Sequence, residues 1–181
     1  MKEVQVNPSQ LQDFDILFCV GDGFLSKAIT TIANSEFSHA GHFRLINGKP
    51  YVVDAQREGL TAKPWDEWVE RFNYKFIVMR ETGLTDEKRK QYEEIEFDLL
   101  GTRYDFESLV IRHPRKRFID LLNRICKKKR DNWKEKSKDK EQKRLYCTEH
   151  VALVRGFENA QPTPKDLLFE TIEKGYSRVV F

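Results

Sequence analysis

The sequence predicts an α+β domain, a small antiparallel sheet packed with helices. Three observations carry that expectation. Short apolar runs alternate with segments of helical spacing, in the order strand, helix, strands, helix, basic insertion, helix, strand. Asn47-Gly48-Lys49 separates two β-prone runs, a signal for a hairpin and so for antiparallel pairing. Hydrophobic residues make up 39% and aromatic residues 12% of the 181, which suits one cored domain over 1–181 and not a disordered chain.

Each element has its own reason. Phe14 to Val20 is a short apolar run that ends at Gly21-Asp22-Gly23, a buried strand and a turn. Phe24 to Asn34 has helical spacing, with Leu25, Ala28, Ile29 and Ile32 on one side. His39 to Ile46 and Tyr51 to Ala55 are the two hairpin strands. Trp65 to Phe72 reads as a short helix after Pro64, and Lys75 to Arg80 as a further strand. Thr85 to Leu100 is an amphipathic helix, with Asp86 and Glu87 in its first turn and Gly101 just past its end. Tyr146 to Arg155 is a helix closed by Gly156. Ser177 to Phe181 is β-prone and can pair as a terminal strand.

Charge is unevenly spread. Residues 112–144 hold 15 Lys and Arg against 5 Asp and Glu, whereas the net charge of the whole chain is only +3. An acidic body therefore carries one basic insertion. Its blander reading is a solvated insertion. Its functional reading is a lid, or an anchor for an anionic partner: a membrane surface or lipid, nucleic acid or cell-wall polymer. Phe118 and Trp133 are its only large aromatics, too few for specific single-strand nucleic-acid recognition. No run approaches the ~20 apolar residues of a membrane span. Met1 to Pro8 lacks the apolar core of a signal peptide, so a cytoplasmic location is expected. Three cysteines, Cys19, Cys126 and Cys147, without C-x-x-C spacing, argue against a disulfide framework and against a cysteine zinc site.

The chemistry points to Cys147. It stands at the start of a helix, where free N–H groups and the helix dipole favour a thiolate. About 110 residues earlier lies Phe37-Ser38-His39-Ala40-Gly41-His42-Phe43. A thiol and a distant histidine are the minimum for cysteine-nucleophile catalysis once the fold joins them. If Asn47 and Gly48 form a two-residue loop, Ile46 faces Lys49, Gly41 faces Asp54 and His39 faces Gln56. Alternation then puts His39, Asp54 and Gln56 on one face, with Asp54 diagonal to the imidazole. A three-residue loop would send Asp54 to the other face. A carboxylate beside an imidazole holds its tautomer and stabilises the imidazolium.

Phe14-Asp15-Ile16-Leu17-Phe18, Phe37-Ser38-His39-Ala40-Gly41, Tyr51-Val52-Val53-Asp54-Ala55, Tyr146-Cys147-Thr148-Glu149 and Pro162-Thr163-Pro164-Lys165-Asp166-Leu167, in that order, resemble the circularly permuted papain-like hydrolases. Within these the chain is most similar to the YiiX-like branch of the NlpC-type superfamily. The resemblance implies a permuted papain-like fold and a cysteine hydrolase. It also implies catalytic roles for His39, Asp54 and Cys147, with the histidine preceding the cysteine. It covers nearly the whole chain outside 112–144.

The implied reaction is hydrolysis of an amide or peptide acyl substrate through a thioester, with no metal or organic cofactor needed. Two other readings stay open. One is a lipid acyltransferase or thioesterase of the lecithin retinol acyltransferase-like type, whose Asn-Cys-Glu-His-Phe motif loosely resembles Cys147-Thr148-Glu149-His150-Val151. The other is an inactive binding module. Cys19 lies in an apolar strand run and reads as core; Cys126 lies on an apolar helical face and reads as core or interface. His42, of opposite parity to His39, reads as structural, as does Glu149. His150, three residues after Cys147, is the alternative base.

Overall fold

The chain, described by a computed structural model over residues 6–21, 23–72, 76–104, 144–159 and 161–180, builds its main sheet from the five expected strands and one more. In order the elements are β1 (Ile16–Cys19), α1 (Phe24–Ala33), β2 (His39–Ile46), β3 (Lys49–Gln56), β4 (Gly59–Pro64), α2 (Trp65–Arg71), β5 (Phe76–Arg80), α3 (Asp86–Leu99), β6 (Arg103–Tyr104), β7 (Arg144–Leu145), α4 (Cys147–Arg155), α5 (Pro164–Glu173) and β8 (Ser177–Val179). The six-stranded sheet has the order β4-β3-β2-β1-β5-β8 and every neighbouring pair is antiparallel. β6 and β7 form a separate parallel pair. The α+β expectation holds. The basic insertion at 112–144, with Cys126 and His113, lies outside the described residues except for Arg144. Among the described residues no helix is long and apolar enough to cross a membrane.

The hairpin turns in two residues. Asn47 and Gly48 have φ of 52° and 73°, both positive, as a type I′ turn requires. The register runs from Ile46↔Lys49 to His42↔Val53, which sets every later facing relation. Four elements have no counterpart in the sequence reading: β4, β6, β7 and α5. β4 pairs with β3, Asp54↔Thr61 and Gln56↔Gly59, although Gly59-Leu-Thr-Ala-Lys-Pro64 has little β-propensity. Pairing overrides propensity here, and Gly59 matters: at φ 109°, a Cβ on it would sit 2.6 Å from the Thr102 carbonyl. α5 begins with a capping box, Thr163 and Asp166 bonding each other's backbone N–H, behind Pro164 in the first turn.

Both faces of the sheet are covered. One carries Leu17, Cys19, Phe43, Val52 and Val78 against Trp65, Trp68, Val69 and Phe72 of α2 and its C-terminal end. The other carries Ile16, Phe18, Ala40 and Met79 against Val151 and Ala152 of α4 and Leu167 of α5. β1 lies between them and all four of its residues are buried, so it reads as an unbroken apolar run. The parity of β2 then assigns its histidines. His39 shares the α2 face with Phe43, while His42 shares the α4 face with Ala40.

Candidate active site

Cys147 is the first residue of α4, and its N-cap, Tyr146, is extended at φ −110° and ψ 168° with no side-chain cap. The amides of that first turn therefore receive no capping side chain and are suited to developing negative charge. α4 lies against β2, and Val151 and Ala152 lock it onto Ala40. Thr148 is held from the other side, its hydroxyl donating to the Pro162 carbonyl at 2.6 Å. Cys147 is thereby fixed near the start of β2, where His39 stands.

The His39 imidazole is held on three sides. Its Nε2 lies 2.7 Å from Asp54 Oδ2. The Phe72 ring stacks on it, with centroids 5.1 Å apart and 18° between planes. Nδ1 is left for Cys147, whose sulfur is close enough to the ring to act on its charge. Burial disfavours the imidazolium, but the Cys147 thiolate and then the Asp54 carboxylate outweigh it and raise His39 to about 10. Asp54 is fully buried. Burial would push its carboxyl up, but the His39 charge and hydrogen bonds from His39, Gln56 and Trp68 hold it below the usual carboxylate range. Gln56 Nε2 and Trp68 Nε1 each reach Asp54 Oδ2 at 2.7 Å. One oxygen thus takes three donors, which orients the carboxylate at the ring.

The structure brings Cys147, His39 and Asp54 together. Gly41 explains why strand geometry permits this: a Cβ there would meet Asp54 Cβ at 2.9 Å and the Val53 carbonyl at 3.0 Å. The close approach at Gly41 is therefore that of β3. Trp68 went unrecognised in the sequence. The signal available was a tryptophan in a short helix, whose indole N–H needs an acceptor when buried. Cys19 is different in kind. Burial, with the charges of Asp54 and Cys147 adding, lifts its thiol well above the ordinary value and keeps it neutral.

His42 and His150 stand apart from this trio. His42 Nδ1 lies 2.9 Å from Glu96 Oε1, and His150 Nε2 lies 3.3 Å from the same oxygen. Burial pushes His42 down to about 3 against the pull of Glu96, so its ring is neutral. The alternative base, His150, is thus packed against α3, with Glu96 as its charged neighbour.

The raised His39 and lowered Asp54 values imply a pH window. The His39 contribution to stability is full below the unfolded value of 6.5 and is lost as pH rises through about 10. The Asp54 contribution is present above its unfolded value of 3.8 and is lost as pH falls below it. Urea unfolding at pH 6.5, 8 and 10 is expected to show a steeper alkaline loss for wild type than for His39→Gln. Parallel profiles would contradict the ion pair.

The chain is similar to known proteins in sequence and in fold. A model of the permuted papain-like amidase enzymes, YaeF/YiiX, C92 family, matches residues 10–112, which include His39 and Asp54 and end before Cys147. The uncharacterized protein YiiX of Escherichia coli strain K12 is 32% identical over 99 residues, 54% of this chain and 48% of that protein. The match thus spans about half the length of that relative. A crystal structure described as the metalloprotein yiiX from Escherichia coli O157:H7 is similar with a TM-score of 0.58 and 27% identity, over 84% of this chain and 67% of that one.

Proposed function

From its membership of the permuted papain-like amidase family, YaeF/YiiX, C92, we propose that this chain is a cysteine hydrolase that cleaves amide or peptide acyl bonds through a thioester on Cys147. The observation that carries this is the chain of contacts from Asp54 through His39 to Cys147. His39 takes the Cys147 proton, or the two exist as an ion pair, so that the sulfur attacks as a thiolate. The thiolate sulfur attacks the acyl carbon and the carbonyl π pair moves to oxygen. The Cys147 backbone N–H, at the head of α4, donates to that oxyanion. The tetrahedral adduct collapses, the C–N bond breaks, and His39 gives its proton to the leaving amine. Neutral His39 then takes a proton from water as hydroxide adds to the thioester. Collapse releases the acid and restores the ion pair. Asp54 does not change protonation; it holds the ring and offsets its charge.

Thiol labelling tests the assignment. Iodoacetamide, a small electrophile, is expected to modify Cys147 fastest at neutral pH, with Cys19 and Cys126 slow in the folded protein. Mass spectrometry after incubation with activated acyl esters and peptide amides is expected to find the acyl group on Cys147. Equal labelling of the three thiols, or a protected Cys147, would sink the proposal. Acyl transfer to an added amine or lipid in preference to water would favour the acyltransferase reading instead. The basic stretch 112–144 adds a proposed affinity for anionic surfaces. Replacing it with a Gly/Ser linker is expected to abolish binding to anionic vesicles at low salt.

A further inference from the structure

We infer that His42, Glu96 and His150 form a structural site for one divalent transition-metal cation, Zn²⁺ by donor type, between β2, α3 and α4. The three side chains are buried, and one ligand atom from each lies within 4.8 Å of the others. Two separations are closer still: His42 Nδ1 and His150 Nε2 lie 2.9 Å and 3.3 Å from Glu96 Oε1. Bonds of 2.0–2.1 Å to a tetrahedral ion place neighbouring ligand atoms about 3.3 Å apart, so the donors already have the spacing of a coordination shell. Two imidazoles and one carboxylate are a donor set that suits Zn²⁺.

An independent observation points to a ligand. His150 has no exposed side-chain surface, yet its Nδ1 has no hydrogen-bond partner and its Nε2 has only the 3.3 Å approach to Glu96 Oε1, outside hydrogen-bond geometry. Fully buried polar atoms are nearly always satisfied, and an orphan of this kind calls for an ion or a water. A proton-sharing contact with Glu96 alone does not supply one, because the carboxylate is already engaged. Its Oε1 takes His42, and its Oε2 is bonded by the Arg44 guanidinium. Arg44 would then serve as an outer partner that orients the ligating carboxylate.

The binding step balances as a tautomer change. His42 now carries its proton on Nδ1, toward Glu96, and accepts from Arg155 Nε at Nε2, 3.2 Å away. To bind a cation, Nδ1 must give up its proton and Nε2 must gain one. Arg155 then releases His42 and keeps its other partners, Glu81 and the Phe14 carbonyl. The two guanidiniums weaken the attraction for a cation, so the site is expected to be weaker than an all-thiolate one. His42 lies on the α4 face of the sheet, away from Asp54. The ion would pin α4 to β2 and α3 and would not touch substrate. The inference is independent of the hydrolase proposal.

The test uses the full chain. Elemental analysis after purification in metal-containing medium is expected to give about one equivalent of a divalent metal. Cobalt(II), added as the denatured protein refolds, is expected to give a visible d–d absorption of low-symmetry N/O ligation. Free Zn²⁺ at about a hundred times Kd is expected to raise the unfolding midpoint by roughly 5–10 °C. Glu96→Gln and His150→Phe, two changes of similar volume, should each abolish all three signals. Cys147→Ser should keep them, which separates this site from the thiol. Metal-free protein with no cobalt spectrum and no shift in midpoint overturns the inference without any variant having to fold. Metal retained in both Glu96→Gln and His150→Phe overturns it too.

Discussion

Cys147→Ala is expected to reduce hydrolysis to the uncatalysed background, and His39→Ala to reduce it by about 10²–10⁴-fold. The two losses differ for a physical reason. Without the sulfur no covalent intermediate forms. Without the imidazole the sulfur remains at the head of α4, but no group protonates the leaving amine or activates water. His39→Ala should also slow iodoacetamide labelling of Cys147, since the imidazolium that holds the thiolate is gone. His150→Ala is the informative control. Its ring lies against Glu96 and His42, with the His42 centroid 5.0 Å away, so most turnover should remain if the fold is intact. Steady-state rates on an amide substrate, with near-ultraviolet circular dichroism as the folding check, decide this. If His150→Ala proved the more damaging change in a folded protein, the base would be misassigned.

Arg155→Met is expected to lower stability by about 3–5 kcal/mol, the cost of leaving buried partners unpaired. Arg155 has no exposed side-chain surface and satisfies three elements at once. It donates to Glu81 Oε2 at 2.8 Å, to His42 Nε2 at 3.2 Å and to the carbonyl of Phe14. Its guanidinium also lies 4.6 Å from the Tyr92 ring centroid. Phe14 is a non-glycine residue at φ 67°, a conformation that persists only where the surroundings enforce it. Removing Arg155 takes away one of those restraints along with one of the two charge partners of Glu81, the other being Lys88. Chemical denaturation measures the loss, and a change below about 1 kcal/mol would show that Lys88 and water replace the guanidinium.

Much of the fold could be read from local signals. β1 is an apolar run that any burial on two faces would produce. The I′ signal at Asn47-Gly48 set the register of β2 on β3, and with it the facing of Gly41 and Asp54. Thr85 and Gly156 end their helices by capping chemistry that acts within a few residues: Thr85 accepts from the Lys88 N–H, and Gly156 takes φ 63°. β4 was missed because its residues become a strand only when β3 offers them an edge. α5 was missed although its capping box lay in plain sequence.

By itself, then, the sequence determined what short-range stereochemistry can encode. It determined a hairpin, a thiol at the start of a helix and, for a two-residue loop, the register and the shared face of His39, Asp54 and Gln56. Tertiary structure alone decided which distant groups meet. Trp68 reaches Asp54 because α2 packs across the sheet. Glu96 is one of several carboxylates on an amphipathic helix, yet it is buried between two histidines and an arginine. Arg155 is the last residue of α4, yet it links β2, Glu81 and Phe14. Such partners come from elements tens of residues apart. Their pairing follows from the loss of solvent around charged groups as the layers close, and no local pattern records that.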